Sequence, residues 1–253
     1  MDNMETRRNA IVQLINENGT VHFSQIKEAF PDVSEMTLRT DLKALDEKKR
    51  ILRIHGGAKS VQTIINSDDF LHQRTGRSIA QKQLIAEKAL TLLQTDSTIY
   101  LDSGSTATML ARLIPDQPNL IYTTGLSCAT ELAKLSKPTV MLPGGKLNRY
   151  SQSVFGFSAI RELERVNFDQ VFLGVTGYHA LSGFSCGIDE EAVLKQTAIR
   201  QSAQVIVLMD SSKLETKRSF RICGLSDIDV IVSDGQLPQD FLAECQRCGV
   251  TVL

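Results

Sequence analysis

In the run TIYLDSGSTATML, residues 98 to 110, the acid Asp102 is followed by Ser103, Gly104, Ser105 and Thr106 before an apolar-periodic segment resumes. A strand, a small-residue turn and a helix start, in that order, make an anion pocket, because the first backbone N–H groups of a helix have no intrahelical acceptor. Four more segments repeat the theme. Thr123-Thr124-Gly125, Pro143-Gly144-Gly145-Lys146, Gly174-Val175-Thr176-Gly177 and Asp210-Ser211-Ser212-Lys213 each follow an apolar run. Glycine and small hydroxyl residues recur where backbone approaches a ligand closely. Any one of these loops is an ordinary Gly/Ser-rich connection; five together point to a polar, anionic small molecule.

There is no GxxxxGK[ST] for a nucleoside triphosphate and no GxGxxG for a dinucleotide. A single phosphate on the Ser103–Thr106 turn, with Lys213 as charge partner, fits the pattern. The carboxylates Asp102, Glu190 and Glu191 can accept hydrogen bonds from hydroxyls. The expected ligand is a phosphorylated sugar. Its expected contacts are Asp102, Ser103, Gly104, Ser105, Thr106, Thr123, Thr124, Gly144, Gly145, Lys146, Gly174, Gly177, Glu190 and Lys213. Neither a cofactor nor a metal is expected: His22, His72 and His179 are scattered, and Cys245 and Cys248 form a lone CxxC that reads as packing thiols. Catalysis would need a positioned general base and a group to stabilise an enediolate. Asp102, Glu190 or Glu191 could be that base, but each reads equally as a hydroxyl acceptor or helix cap. The expectation is therefore binding without turnover, the alternative being a sugar-phosphate isomerase-like enzyme with an accessory helical domain.

These loops need strands to hold them. TIYLD, NLIYTT, PTVML, QVFLGV, QVIVLMD and DVIVSD are short, β-branched-rich runs, several separated by helix-length segments such as SIAQKQLIAEKALTLL. Near-continuous apolar strands alternating with helices predict a mainly parallel sheet covered on both faces. Ligands of such sheets sit beyond the carboxyl ends of the strands.

The first sixty residues are organised differently. Ile11, Leu14 and Ile15 recur at helical spacing, and Gly19 is placed to cap that helix. Ser24 can cap a second helix, QIKEAF, which Pro31 ends, and Ser34 a third, VSEMTLRTDLKALDEKK. In the third, Leu38, Leu42 and Leu45 share one stripe. Met36, Thr40 and Lys43 point the other way, with Thr37 and Arg39 on the flanks. A helix lying in a major groove needs this apolar back and polar or guanidinium front. RILRIHGGAKS then reads as a strand, a Gly-Gly turn and a second strand, completing a winged helix-turn-helix. The segment carries ten Lys/Arg against nine Asp/Glu, and its run Lys48, Lys49, Arg50, Arg53, Lys59 has no acid within it. Charge alone would leave this run a solvated face; attached to the helical triad it suits backbone phosphates. The expected DNA contacts are Ser34, Met36, Thr37, Arg39, Thr40, Lys43, Arg50, Arg53, His55 and Lys59.

VSEMTLRTDL followed by LRIHGGA resembles the N-terminal domain of the DeoR family of bacterial transcription regulators. Ser34, Thr37, Arg39, Asp41 and Leu42 match its Ser-x-x-Thr-(Ile/Val)-Arg-Arg-Asp-Leu run, and His55, Gly56, Gly57 and Ala58 its wing; Thr40 stands where the second arginine is usual. The resemblance continues from Phe70, which with Arg74 matches an F-x-x-x-R feature, to Asp234. IYLDSGST, TT, LPGG, FLGVTG, EEAVLK and DSSK are similar, in order, to that family's effector domain, which shares the ribose-5-phosphate isomerase fold and senses sugar phosphates. Thr124 replaces a common Asn and Ser105 a common Thr, while the isomerase's acidic and Lys-Gly-Gly-Gly runs are missing. The resemblance implies a sequence-specific regulator, a repressor of carbohydrate genes, acting as a homodimer or homotetramer on double-stranded operator DNA.

The 253 residues, 42% hydrophobic and 23% charged, have the composition of a folded globular chain. MDNMETRR carries no apolar signal core, and no run approaches the ~20 apolar residues of a membrane span. The expectation is a cytoplasmic protein without membrane contact, built as a DNA-binding domain (1–59), a linker (60–75) and an effector domain (76–253).

Overall fold

The computed structural model describes residues 3–18, 20–54, 56–60 and 71–253, with backbone alone at Asn3, Thr20, His72 and Gln73. Gly19 as a helix cap, His55 in the wing and Phe70 as a docking contact fall outside the described residues. The chain divides into two compact units, Met1–Ser67 and Asp68–Leu253.

The first unit runs α1 (Asn3–Asn18), β1 (Thr20–His22), α2 (Phe23–Ala29), α3 (Glu35–Glu47), β2 (Ile51–Ile54) and β3 (Gly57–Ser60). Ile11 and Ile15 of α1, Ile26 of α2, and Leu38, Leu42 and Leu45 of α3 form its core. Ser34 caps α3 as expected, its hydroxyl accepting the Thr37 N–H at 3.2 Å. Ser24, in contrast, does not cap α2. That helix begins two residues earlier, at Phe23, with His22 at the cap position. The Gln25 side chain accepts the His22 N–H at 2.8 Å, and the Phe23 N–H donates to the Gly56 carbonyl at 2.9 Å. The wing also gains a third strand: β1 pairs antiparallel with β3, which pairs antiparallel with β2. Gly57 is required there, since a Cβ would stand 2.2 Å from the Val21 carbonyl oxygen. Beneath this, the buried Asp41 of α3 accepts from Arg7 Nε and Arg8 Nε of α1, both at 2.7 Å.

The second unit opens with α4 (Leu71–Thr75) and α5 (Ile79–Leu90) and is built on seven parallel strands. In chain order these are β4 (Thr98–Leu101), β5 (Leu120–Thr123), β6 (Thr139–Met141), β9 (Phe168–Gly174), β12 (Ser202–Leu208), β14 (Val230–Val232) and β15 (Thr251–Val252). Their spatial order is β15-β14-β12-β9-β4-β5-β6. Alternate side chains divide the core in two. Ile99, Leu101, Phe172 and Ile206 face α5, α6 (Ser105–Leu113) and α7 (Leu126–Leu132). Tyr100, Val171, Leu173 and Val205 face α8 (Phe157–Leu163), α9 (Asp189–Arg200) and α10 (Gln239–Arg247). Both faces are covered, which is why the strands read as apolar runs. Between them are the hairpin β7 (Lys146–Asn148) with β8 (Ser153–Phe155), and an antiparallel sheet of β10 (Gly177–His179), β11 (Gly183–Cys186) and β13 (Phe220–Cys223). Because the main strands are parallel, the connections after β4, β5, β9 and β12 leave from one edge. No helix among the described residues is long and apolar enough to cross a membrane.

Candidate functional site

At that edge β4 delivers Asp102 and β9 delivers Gly174, on neighbouring strands. The Asp102 carboxylate accepts the Gly174 N–H at 2.9 Å and pairs with the Lys195 ammonium, which also donates to the Gly174 carbonyl at 2.8 Å. Lys195 comes from α9 and is buried with its partner. Burial alone would lower its pKa, but Asp102 and then Glu191 outweigh it and hold the ammonium above the ordinary lysine value. Glu191, one turn earlier on α9, accepts from the Ser153 hydroxyl at 2.9 Å; the Tyr100 and Thr124 hydroxyls share a hydrogen bond at 3.0 Å. With Ser103, Val154 and Leu194 these side chains line one recess.

Beside it α6 begins. Gly104 occupies the cap position at φ 109°, and no side chain caps the helix, so its first N–H groups are presented to an incoming anion. Positive charge gathers nearby. Arg74 Nη1 lies 3.6 Å from where a Cβ on Gly104 would stand, and Arg74 Nε is buried without a hydrogen-bond partner. The buried Lys82 ammonium donates to the Arg74 and Arg77 carbonyls. Burial lowers its pKa below the usual lysine value, Lys213, Arg74 and Arg77 add to that, and Asp210 opposes it. Lys213 follows the turn in which Asp210 Oδ1 accepts the Ser212 N–H at 3.0 Å. An anion placed here would relieve cation–cation repulsion as well as fill the helix terminus.

Asp102, Ser103 and Thr124 line the recess, Gly104, Ser105 and Thr106 form the start of α6, and Lys213 acts on Lys82. Gly174 backs onto Asp102. Thr123 is buried and accepts the Gly125 N–H at 3.1 Å, so its hydroxyl serves the turn. Gly144, Gly145 and Lys146 are exposed and do not line the recess. Gly145 instead lets the Phe155 carbonyl pass, a Cβ there lying 2.5 Å from it, and the Lys146 ammonium sits over the Phe155 ring. Gly177 is likewise a crossing point, its Cβ position being 2.2 Å from the Thr216 carbonyl. Glu190 points to solvent while Glu191 turns inward, one residue being 100° of helix rotation. Sequence reasoning missed Tyr100, Ser153, Lys195, Arg74 and Lys82 as site residues. Lys195 had a signal: it stands four residues after Glu191, hence on the same face of α9. Among the described residues no group of His, Cys, Asp and Glu could hold a metal ion. Cys128, whose thiol donates to the Asp102 carbonyl at 3.4 Å, is pushed up to about 12 by burial and carries no thiolate near neutrality.

In the first unit, α3 buries its leucines and turns Met36, Arg39, Thr40 and Lys43 to solvent, Met36 being 76% exposed. Thr37 shares a hydrogen bond with Ser34 at 2.9 Å, and the Thr40 hydroxyl donates to the Met36 carbonyl at 2.9 Å. Arg39 stacks over the Phe23 ring, 4.2 Å from its centroid, with Glu35 Oε2 at 3.7 Å. Arg53 and Lys59 are exposed on β2 and β3. Arg50 departs from expectation. It precedes β2 and turns back to α1, donating to Asn9 Oδ1 at 2.8 Å with Glu5 at 3.7 Å, so the wing does not carry it outward.

Two known families match the chain. Residues 7–64 match the DeoR-like helix-turn-helix domain, and residues 77–235 the DeoR C terminal sensor domain. A candidate aga operon transcriptional repressor of Escherichia coli O157:H7 is 30% identical over 98% of this chain and 92% of its own. The lactose phosphotransferase system repressor of Staphylococcus aureus is 29% identical over 92% of each. Among solved structures, ribose 5 phosphate isomerase A from Neisseria gonorrhoeae aligns over 54% of this chain and 53% of its own at 16% identity, with a TM-score of 0.40. With both family domains matched in order along one chain, this protein belongs to the DeoR family.

Proposed function

We propose that the protein is a transcriptional repressor of carbohydrate genes whose operator affinity is set by a phosphorylated sugar. The observation that carries this reading is the uncapped start of α6 beside Arg74, Lys82 and Lys213, in the same chain as a helix-turn-helix unit that exposes the polar face of α3. The phosphate takes the N–H groups at Ser105 and Thr106 and the nearby cations, and the sugar hydroxyls address Asp102, Thr124, Ser153, Glu191 and Lys195. Arg39 and Met36 read base edges, while Arg53 and Lys59 meet backbone phosphates. The names of the two relatives, each a repressor of a sugar system, support the same class. Turnover is not part of the reading: Asp102 is held by Lys195 and Gly174 rather than left free to take a carbon-bound proton.

One short helix reads too few base pairs for useful specificity, so the DNA-bound form contains at least two copies. Ligand then favours an arrangement of copies whose heads no longer match the half-site spacing, by no more than its differential affinity for the two arrangements. The test is selection of duplexes from a random DNA pool by the full chain, repeated with a panel of sugar phosphates. A recovered repeated motif whose binding shifts with one sugar phosphate is the expected result. Absence of enrichment, together with interconversion of the panel by the protein, would replace the reading with an isomerase.

A further inference from the structure

The residue after Arg39 is Thr40, whose hydroxyl is turned back onto the Met36 carbonyl. That leaves Arg39 as the sole guanidinium of α3. An exposed arginine is a poor reader unless something orders it, because fixing its rotamers on binding costs free energy that the base contact must first recover. Arg39 is 60% exposed, yet its guanidinium lies 4.2 Å from the centroid of the Phe23 ring. The ring itself is well anchored: Phe23 opens α2, its N–H is held by the Gly56 carbonyl, and its side chain packs on the core of the first unit. On the other side Glu35, one turn earlier, is at ion-pair distance. Neither contact is a hydrogen bond, so the orientation is set without engaging the donors that a guanine edge would use.

We propose that Phe23 is a positioning residue for operator recognition: its ring face holds the Arg39 guanidinium in place for the base it reads. The role rests on the reading of α3 as the groove-facing helix. A stacking contact at an exposed site accounts for about a two- to fivefold effect. Leucine at 23 would fill the core but offer no ring.

The experiment uses the full chain and a duplex recovered by selection, with every base pair varied in turn. Arg39→Ala first identifies the position whose preference it loses. Phe23→Leu is then expected to reduce discrimination at that same position about two- to fivefold. Its affinity for random duplex and its unfolding midpoint are expected to stay near those of the parent. Phe23→Tyr, which restores a ring, should restore discrimination, and Phe23→Leu in an Arg39→Ala background should add nothing. Full discrimination in Phe23→Leu, an equal loss on selected and random duplex, or the same loss without Arg39 would each overturn the proposal. If Arg39→Ala itself keeps every base preference, the placement of α3 is wrong and the role of Phe23 falls with it.

Discussion

Two aspartates, each buried against basic partners, do different work. Asp41 is clasped by Arg7 and Arg8 and joins α3 to α1, so the aspartate of the DNA-binding motif is a fastening and not a contact. Asp41→Ala leaves two half-buried guanidinium groups side by side with their shared carboxylate gone. It should cost about 3 kcal/mol of first-unit stability, read as an earlier urea transition with the second unit unaffected. The Lys195–Asp102 pair lies in the recess of the second unit instead, and its pH signature follows from the direction of the lysine shift. A raised pKa means the stabilisation is complete below the unfolded value of 10.5 and fades only as pH rises through the higher folded one. The stability gap between parent and Lys195→Met should therefore be flat across neutral pH and narrow only in strong alkali, checked by denaturation at stepped pH. Much of this was legible in the sequence as types: an acid ending a strand, small residues after it, acids opening a helix. Which acid turns inward was not. Glu190 and Glu191 differ by one step of rotation, and only the packing of α9 decides between them.

Elements were legible where their pattern was long. α3 showed its leucine stripe and its serine cap, and the long central strands showed as apolar runs covered on both sides. β1 and β15, at three and two residues, are too short to have a period, and α2 starts early because a glutamine and a wing carbonyl replace the expected serine cap. The exposed front of α3 predicts that Arg39→Ala relaxes base preference and costs about 1–3 kcal/mol on a selected site. Arg53→Ala should instead weaken all duplexes alike and reduce the salt slope by about one. Titrations against selected and random DNA at several salt concentrations separate the two. At the start of α6, Gly104 holds a conformation that a β-branched residue adopts only under strain. Gly104→Val should abolish sugar-phosphate binding in calorimetry while the circular dichroism of the sheet persists. Retained affinity in that folded variant would move the phosphate to another loop.

The whole chain joins a reader of DNA to a sensor, and net charge conceals this, since −1 over 253 residues averages the basic run Lys48–Lys59 with an acidic remainder. If ligand lowers operator affinity by some factor, operator must lower ligand affinity by the same factor. Calorimetry of the sugar phosphate with and without selected duplex should return that equality, and unequal factors would mean the two measurements involve different assemblies. What already fills the recess bears on the response as well. Lys195 and Asp102 already satisfy each other inside it. On the proposed reading, an entering sugar competes with the protein's own charges for the same hydrogen bonds. The concentration at which the repressor responds is then a property of that internal competition as much as of fit. Loosening the pair would tune the sensor to scarcer sugar, and tightening it to more abundant sugar, with the ligand's identity unchanged.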